Sequence, residues 1–484
     1  MNRLVLGCVA LLPFALAGCG GPASADALPE APGSAPAARY QPRTDWMAIQ
    51  SPTGGPVKWS SARFPPLLSV RLAPNTPDPE LATDLLTQAK LKGTKRTVLD
   101  PLAYADGVWT QLQADRIARL LGTHFGTPAA PTVRVPGTDV VVASSFVRLD
   151  PAAGLGKNLK DARAKLGKAK VKDLEADWKA ATEAKEELKL DDAALARGSL
   201  VYRRWCVQCH GPNGAGEAAY AIEGGPMPRD YRQGVFKYVT AFPPPNAVKK
   251  AGLGAGGKPR RSDLARTVRN GVPGTMMPAF TGLSAGEVED VVSYVVHLSV
   301  RGEVEFATIA KAVRPTFDEE ADPYTDGDLD GLFVQHLLAV LANWDVAAKN
   351  PIPVPEDPAR TPAERIESAV RGFRLYNGEF GCNGCHANYG RTQQLKWDAW
   401  ATVVQPRNLT LGVYRGGSRG TDLYARIYGG IAPSGMNAFR DRVTGTPPGT
   451  PDKIWDIVHF LHALADPADR RAMQMRDSSI KFEQ

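Results

Sequence analysis

Two stretches of this chain carry the same five-residue pattern, Cys206-Val207-Gln208-Cys209-His210 and Cys382-Asn383-Gly384-Cys385-His386. Two cysteines three positions apart can form thioethers with both vinyl groups of a haem, and the adjacent histidine then lies against the iron. A lone copy also fits a redox dithiol or half of a zinc site. Two copies, each followed downstream by a suitably placed methionine, favour two covalently bound haem c groups.

The remaining thiols agree. Of the six cysteines, four belong to the two motifs, Cys8 sits in an apolar leader, and Cys19 is left without a partner for a structural disulfide. The chain opens Met1-Asn2-Arg3, runs apolar from Leu4 to Ala17, and reaches Leu16-Ala17-Gly18-Cys19. This reads as a secretory signal over 1–18 ending in small residues. The L-A-G-C sequence resembles the bacterial lipobox, which implies lipidation of Cys19 and cleavage before it. An uncleaved anchor helix is the alternative, although the run is short for a span of roughly 20 residues. Either way the body is expected outside the cytoplasm, on the periplasmic face of a membrane. No other segment reads as apolar and long enough to span.

At 484 residues the chain has room for two to four domains, and 43% hydrophobic residues suffice for real cores. The net charge of +7 is concentrated in the first haem-type segment. A basic face near a haem edge could steer an acidic redox partner; ordinary solvated lysines and arginines explain the charge equally well. Nucleic acid is not an expected partner, because basic and aromatic residues do not interleave as single-strand binders require.

Residues 19–45, rich in Pro, Ala, Gly and Ser, read as a flexible tether. Region 46–150 is mixed and irregular. Pro79 to Lys90 and Gly107 to Gly122 have helical periodicity, and Thr132 to Val147 is β-branched and expected to be extended. His124 lies here without a second histidine or a cysteine nearby, so a surface or packing role is expected. Residues 151–191 read as an exposed, charged helical linker. The haem-type segments follow at 192–302 and 362–466, separated by a connector at 303–361, with a tail at 467–484. In the connector, Asp326-Gly327-Asp328-Leu329-Asp330-Gly331 matches the start of a calcium loop. The twelfth position, which needs a bidentate glutamate, is Leu337. An acidic linker with Asp330 capping a helix from Leu332 to Trp344 is the better reading, and calcium is not expected.

The two haem-type segments align with each other. Arg197-Gly198 and Tyr202 match Arg371-Gly372 and Tyr376; Pro228-Arg229-Asp230 and Gly234 to Lys237 match Pro406-Arg407-Asn408 and Gly412 to Arg415. Further on, Asp263-Leu264, Val268, Gly271-Val272, Met277, Ala279 and Phe280 match Asp422-Leu423, Ile427, Gly430-Ile431, Met436, Ala438 and Phe439 at one constant displacement. Apolar helices, Val288 to Leu298 and Ile454 to Leu464, close the segments. The alignment selects Met277 over Met276, which falls opposite Gly435. None of His297, His459 and His462 recurs, so none is expected to be a ligand. Each iron is therefore expected to take His210 or His386 on one side and Met277 or Met436 on the other. A thioether ligand raises the potential, which suits a carrier on the oxidising side of a respiratory chain. The partner that orients each histidine is typically a backbone carbonyl, and Pro212 is placed to supply it for His210. Arg229 and Arg407 could each pair with a haem propionate or serve in a structural ion pair.

Both segments resemble class I cytochrome c domains, a likeness that covers a little under half of the chain. It implies a mainly α fold: two tandem cytochrome c-like helical domains preceded by a mixed, irregular N-terminal region. It also implies a helix crossing at Gly198 against Tyr294 and Gly372 against Phe460. The Pro-Arg-Asp, Gly-Val-Phe-Lys and Met-Pro-x-Phe elements are similar to those of membrane-attached bacterial cytochromes c linked to respiratory oxidases. The second segment departs from the pattern with Met436-Asn437 in place of Met-Pro. The first carries an insertion, Ala241 to Arg261, that could shield its haem or dock a partner. The function expected is one-electron transfer, as a tethered carrier or as the cytochrome subunit of an oxidase or quinol-oxidising complex, with a respiratory oxidase or dehydrogenase complex as redox partner, and not catalysis. The alternative is a di-haem enzyme such as a peroxidase, which would need an open iron position and a nearby acid–base group.

Overall fold

Helix crossings guided by glycine organise the computed structural model, which describes residues 57–59, 107–109, 111–146, 149–150, 152–214, 216, 228–242, 257–313, 326–392, 394–397, 403–443 and 452–482. The leader, Cys19, the tether and Pro79 to Lys90 lie outside these residues. All described residues belong to one unit, Ala37–Gln484. The fold is mainly α. Its described strands are two short antiparallel pairs, β1 (Val57–Trp59) with β2 (Gly107–Trp109) and β3 (Lys396–Trp397) with β4 (Val403–Val404).

The helices are α1 (Gln111–Phe125), α2 (Thr138–Ser144), α3 (Gly154–Glu187), α4 (Asp192–Trp205), α5 (Arg261–Asn270), α6 (Ala285–Val313), α7 (Asp326–Lys349), α8 (Pro362–Asn377), α9 (Gly420–Gly429), α10 (Lys453–Ala465) and α11 (Pro467–Arg476). Their starts are chemically marked. Asp191 accepts from the Ala194 amide at 2.9 Å to cap α4. Ser284 and Glu287 form a reciprocal capping box before α6, as do Thr361 and Glu364 before α8, with Pro362 at its first position.

The two long crossings are built alike. In the first, α4 lies across α6 with Gly198 so close that a β-carbon would strike the Asp290 carbonyl and stand 2.9 Å from Tyr294 Cβ. In the second, α8 lies across α10, and at Gly372 a β-carbon would strike the Asp456 carbonyl and stand 2.8 Å from Phe460 Cβ. One residue before each glycine, Arg197 grips Asp290 with two hydrogen bonds of 2.7 and 2.9 Å, and Arg371 grips Asp456 at 3.0 and 2.7 Å. The contacts of Gly198 with Tyr294 and of Gly372 with Phe460 are those that the resemblance implies.

One continuous apolar core runs from Ile117 of α1 to Trp344 of α7, across the segments that the sequence separates near 150, 191 and 302. A second core, Ala369 to Ile480, belongs to the second haem-type segment and its tail. Four sequence expectations are corrected. Thr132 to Val147 is not wholly extended: Thr138–Ser144 is helix α2, because burying Val141 and Val142 against neighbouring helices outweighs β-branched propensity. The helix expected over Val288 to Leu298 continues to Val313, since Arg301, Glu303 and Glu305 are buried and paired inside the protein. The helix expected from Leu332 starts at Asp326, so Asp330 lies within it and bonds Arg116 Nε at 2.7 Å instead of capping. With Asp326 and Asp328 also in the first turn of α7, the calcium-loop conformation is not formed. This helix is long and apolar enough to cross a membrane by composition, contrary to the sequence reading, yet 72% of its apolar window is buried in protein. The charged stretch after residue 151 is helical as expected, broken at Gly167 (φ 73°) and buried only along a thin face of Ala162, Val171, Ala181 and Ala184.

The two haem-type segments dock on each other. Arg266 pairs with Asp422 at 3.4 Å, Phe242 meets the edge of Tyr428, and the Arg426 guanidinium donates to the carbonyls of Lys237 and Val239.

Candidate functional site

Each C-x-x-C-H forms a single tight turn. The amides of Cys209 and His210 both reach the Cys206 carbonyl, at 3.2 and 2.9 Å, and those of Cys385 and His386 reach Cys382 at 3.2 and 2.8 Å. Positions i, i+3 and i+4 thereby share one side of the turn. The tyrosine of the preceding helix secures it: Tyr202 donates to the Gly211 carbonyl at 2.8 Å, and Tyr376 to that of His386 at 2.9 Å.

The imidazoles are oriented by backbone carbonyls, but not by Pro212. His210 Nδ1 lies 3.4 Å from the Arg229 carbonyl and His386 Nδ1 lies 3.2 Å from that of Arg407. The reason is the capped turn after each arginine. Asp230 or Asn408 accepts from the amide two residues on and starts a 3-10 helix that ends at a left-handed glycine, Gly234 (φ 63°) or Gly412 (φ 64°). This returns the arginine carbonyl to the histidine. His210 also stacks on Tyr231 at 4.6 Å, and its burial pushes it down to about 4, so the ring is neutral and its Nε2 free of a proton when Nδ1 donates.

The methionine loops are equally matched. The Val272 amide donates to the Met277 carbonyl at 3.0 Å and that of Ile431 to Met436 at 2.9 Å; Phe280 donates to Val268 at 3.0 Å and Phe439 to Ile427 at 3.1 Å. Both loops begin at a glycine with positive φ, Gly271 and Gly430, where a β-carbon would lie 2.6 Å from the methionine carbonyl. Asn437 thus leaves intact the loop that Pro278 forms in the first segment. Met276 is 62% exposed, whereas Met277 is half-buried.

In the second segment these parts converge on one cavity of about 330 Å³, lined by Cys382, Cys385, His386 and Met436. Apolar walls come from residues such as Leu423, Ile427 and Leu461, and the neighbouring cations Arg407 and Arg415 also line the cavity. An apolar slot with an imidazole, a thioether, two thiols and two guanidinium groups fits covalent haem, whose plane is apolar and whose edge bears two carboxylates. The other readings of C-x-x-C-H fit less well. Burial pushes Cys206 up to about 12 and Cys382 up to about 11, whereas dithiol chemistry needs a lowered thiol. Among the described residues no three His, Cys, Asp or Glu side chains converge as a metal cage.

The other candidates are placed as follows. Arg407 is half-buried, with its Nε on the Val413 carbonyl at 2.8 Å. Burial and the neighbouring Arg415 push it below the usual guanidinium range. Arg229 is half-buried beside the first histidine. His297 is buried between the carbonyls of Phe125 and Thr132, His459 bonds Ser368, His462 faces the Ser418 carbonyl, and His124 packs on Phe333. Most of the insertion lies outside the described residues, but its Lys258 is buried against Glu303 and its Phe242 docks on the second segment. Sequence reasoning missed Lys237 and Tyr238, first-segment residues that line the second cavity. Lys237 stands opposite Arg415 in the repeat, which was the available signal.

Residues 193–295 match the family described as cytochrome c oxidase, cbb3-type, subunit III. The first haem-type segment is thus a cytochrome c domain; the match stops short of the second. Among solved structures, a chain of the reducing HAO-like protein complex of Kuenenia stuttgartiensis is similar at 20% identity, covering 56% of this chain and 96% of that one. Its TM-score of 0.38 is too low to argue from. No curated protein matches the sequence.

Proposed function

We propose that this protein is a di-haem c-type cytochrome that transfers single electrons outside the cytoplasm. In this reading Cys206, Cys209, His210 and Met277 would hold one haem, and Cys382, Cys385, His386 and Met436 the other, the cysteines through thioethers and the histidine and methionine through the iron. Arg229 and Arg407 pair with propionates. The haem supplies a one-electron ferric–ferrous couple. The protein's part is to fix the axial groups, so that little rearrangement accompanies the change of charge, and to exclude water from the slot.

The observation that carries the reading is the duplication of the parts: in each segment a histidine tied by Nδ1 to an arginine carbonyl, and a methionine loop closed by the same two hydrogen bonds. The family matched by the first segment supports a partner in a respiratory oxidase. The Leu-Ala-Gly-Cys19 sequence supports a lipid anchor on the periplasmic side of a membrane.

The test is a pyridine haemochrome count on the purified protein, with spectra of the reduced form before and after carbon monoxide and a peroxide-turnover assay. Two haems per chain, unchanged spectra and no turnover are expected. A haem that binds carbon monoxide and turns over peroxide would replace the carrier reading with a di-haem peroxidase.

A further inference from the structure

We propose that the first segment completes the cofactor site of the second: Lys237 and Tyr238 bind, together with Arg407 and Arg415, the carboxylates of the group held in the second cavity. This rests on the reading of that cavity as a haem site and goes beyond it, because it makes the site a product of two segments.

Docking holds these two residues in place. Arg426, buried on α9, donates to the carbonyls on either side of Tyr238, those of Lys237 at 3.3 Å and Val239. The Tyr238 ring lies on Gly416, where a β-carbon would be 3.0 Å from Tyr238 Cδ1. Gly416 is the repeat counterpart of Tyr238, so one segment supplies a ring where the other supplies the space for it. The contact is reciprocal: the Arg407 guanidinium leans on Gly274 of the Met277 loop, 3.1 Å from where a β-carbon would stand.

Charge indicates what the site takes. The positive fields of Arg229, Arg407, Arg415 and Arg426 all fall on the Tyr238 hydroxyl. Among the described residues the cation that acts on Arg407 is Arg415, and the group that offsets it is the Tyr238 hydroxyl. Arg415 Nε is buried without a hydrogen-bond partner among the described residues. A cluster of cations lining an otherwise apolar cavity is costly unless anions occupy it. Two carboxylates on the edge of a planar apolar group meet that requirement, and Tyr238 Oη can donate to one of them.

The experiment uses the holoprotein and reads both midpoint potentials by spectroelectrochemistry, with Met436→Ala identifying the wave of the second segment. Lys237→Gln removes a positive charge and Tyr238→Phe removes only a hydroxyl while keeping the ring on Gly416. Each is expected to move the second segment's wave to lower potential, because a carboxylate left less compensated favours the ferric form. The exposed Lys179→Gln on α3 is expected to move neither wave. The inference is overturned if the second wave stays in place in both variants, or if Lys179→Gln shifts it as far. A haemochrome count of one per chain would instead remove the underlying reading, and the two failures are distinct.

Discussion

The Nδ1 atom of His386 lies 3.2 Å from the carbonyl oxygen of Arg407, and His210 stands in the same relation to Arg229 at 3.4 Å. The residue after each arginine sets that carbonyl, and the two choices differ in what they hold. Asn408 caps its turn through Thr410 alone, whereas Asp230 is fully buried and grips Arg232 at 2.9 and 3.1 Å. Asn408→Ala should therefore cost about 1 kcal/mol, the worth of a cap. Asp230→Ala should cost about 3–5 kcal/mol, because it takes from a buried guanidinium the carboxylate beside it. Denaturant unfolding of the two variants compares them directly, and equal costs would contradict the assignment.

The helix crossings make a second prediction. At Gly198 and Gly372 the space for a β-carbon is filled by backbone carbonyl, which cannot swing away as a side chain can. Gly198→Ala and Gly372→Ala should each destabilise by about 2 kcal/mol or more, despite the higher helix propensity of alanine. Gly286→Ala, in open space on the first turn of α6, is the control and should be neutral or stabilising. Thermal unfolding distinguishes them.

Adjacent methionines give the sharpest contrast at the site. Met276→Ala should leave both midpoint potentials and the carbon monoxide response unchanged, since its side chain faces solvent. Met277→Ala should lower one potential and admit carbon monoxide at that iron. Met436→Ala should do the same at the other, because its loop carries the same hydrogen bonds with Asn437 as the first does with Pro278. A Met436 variant with an unaltered spectrum would remove that residue as a ligand.

The repeat separated Met277 from Met276, and the resemblance to class I cytochrome c domains implied both glycine crossings, because those features are fixed by residue identity at constant spacing. The Arg229 and Arg407 carbonyls were invisible for the opposite reason: every residue has a carbonyl, and only the capped turn aims these two. Arg301, Glu303 and Glu305 lie beyond the helix expected over Val288 to Leu298, yet they are helical and buried, with Glu303 bonded to Lys258 from the insertion and to Trp344 from α7 at 2.9 Å. Partners so distant in sequence leave no local pattern. Lys237 and Tyr238 were missed likewise, since docking of the second segment is what places them at its cavity.

His297 links the N-terminal region to the first cytochrome domain, and its burial should be readable as a pH dependence. Its ring lies between the carbonyls of Phe125 and Thr132, at 3.1 and 3.0 Å, and burial pushes it down to about 4. In the unfolded chain the same ring titrates near 6.5. Above about pH 6.5 both states are neutral and the stabilisation is complete. As pH falls from there toward 4, the unfolded chain takes up a proton that the folded protein refuses, and stability declines by about 3 kcal/mol from this group. His336, also pushed down to about 4 by burial, adds to the slope in the same direction. His297→Gln separates the two, because an amide can donate to both carbonyls but does not titrate. Unfolding free energies measured from pH 8 to pH 4 should fall less steeply for His297→Gln than for the native protein, by the slope of one proton. Parallel curves would mean that His297 is protonated in the folded state, and that its two carbonyls hold an imidazolium.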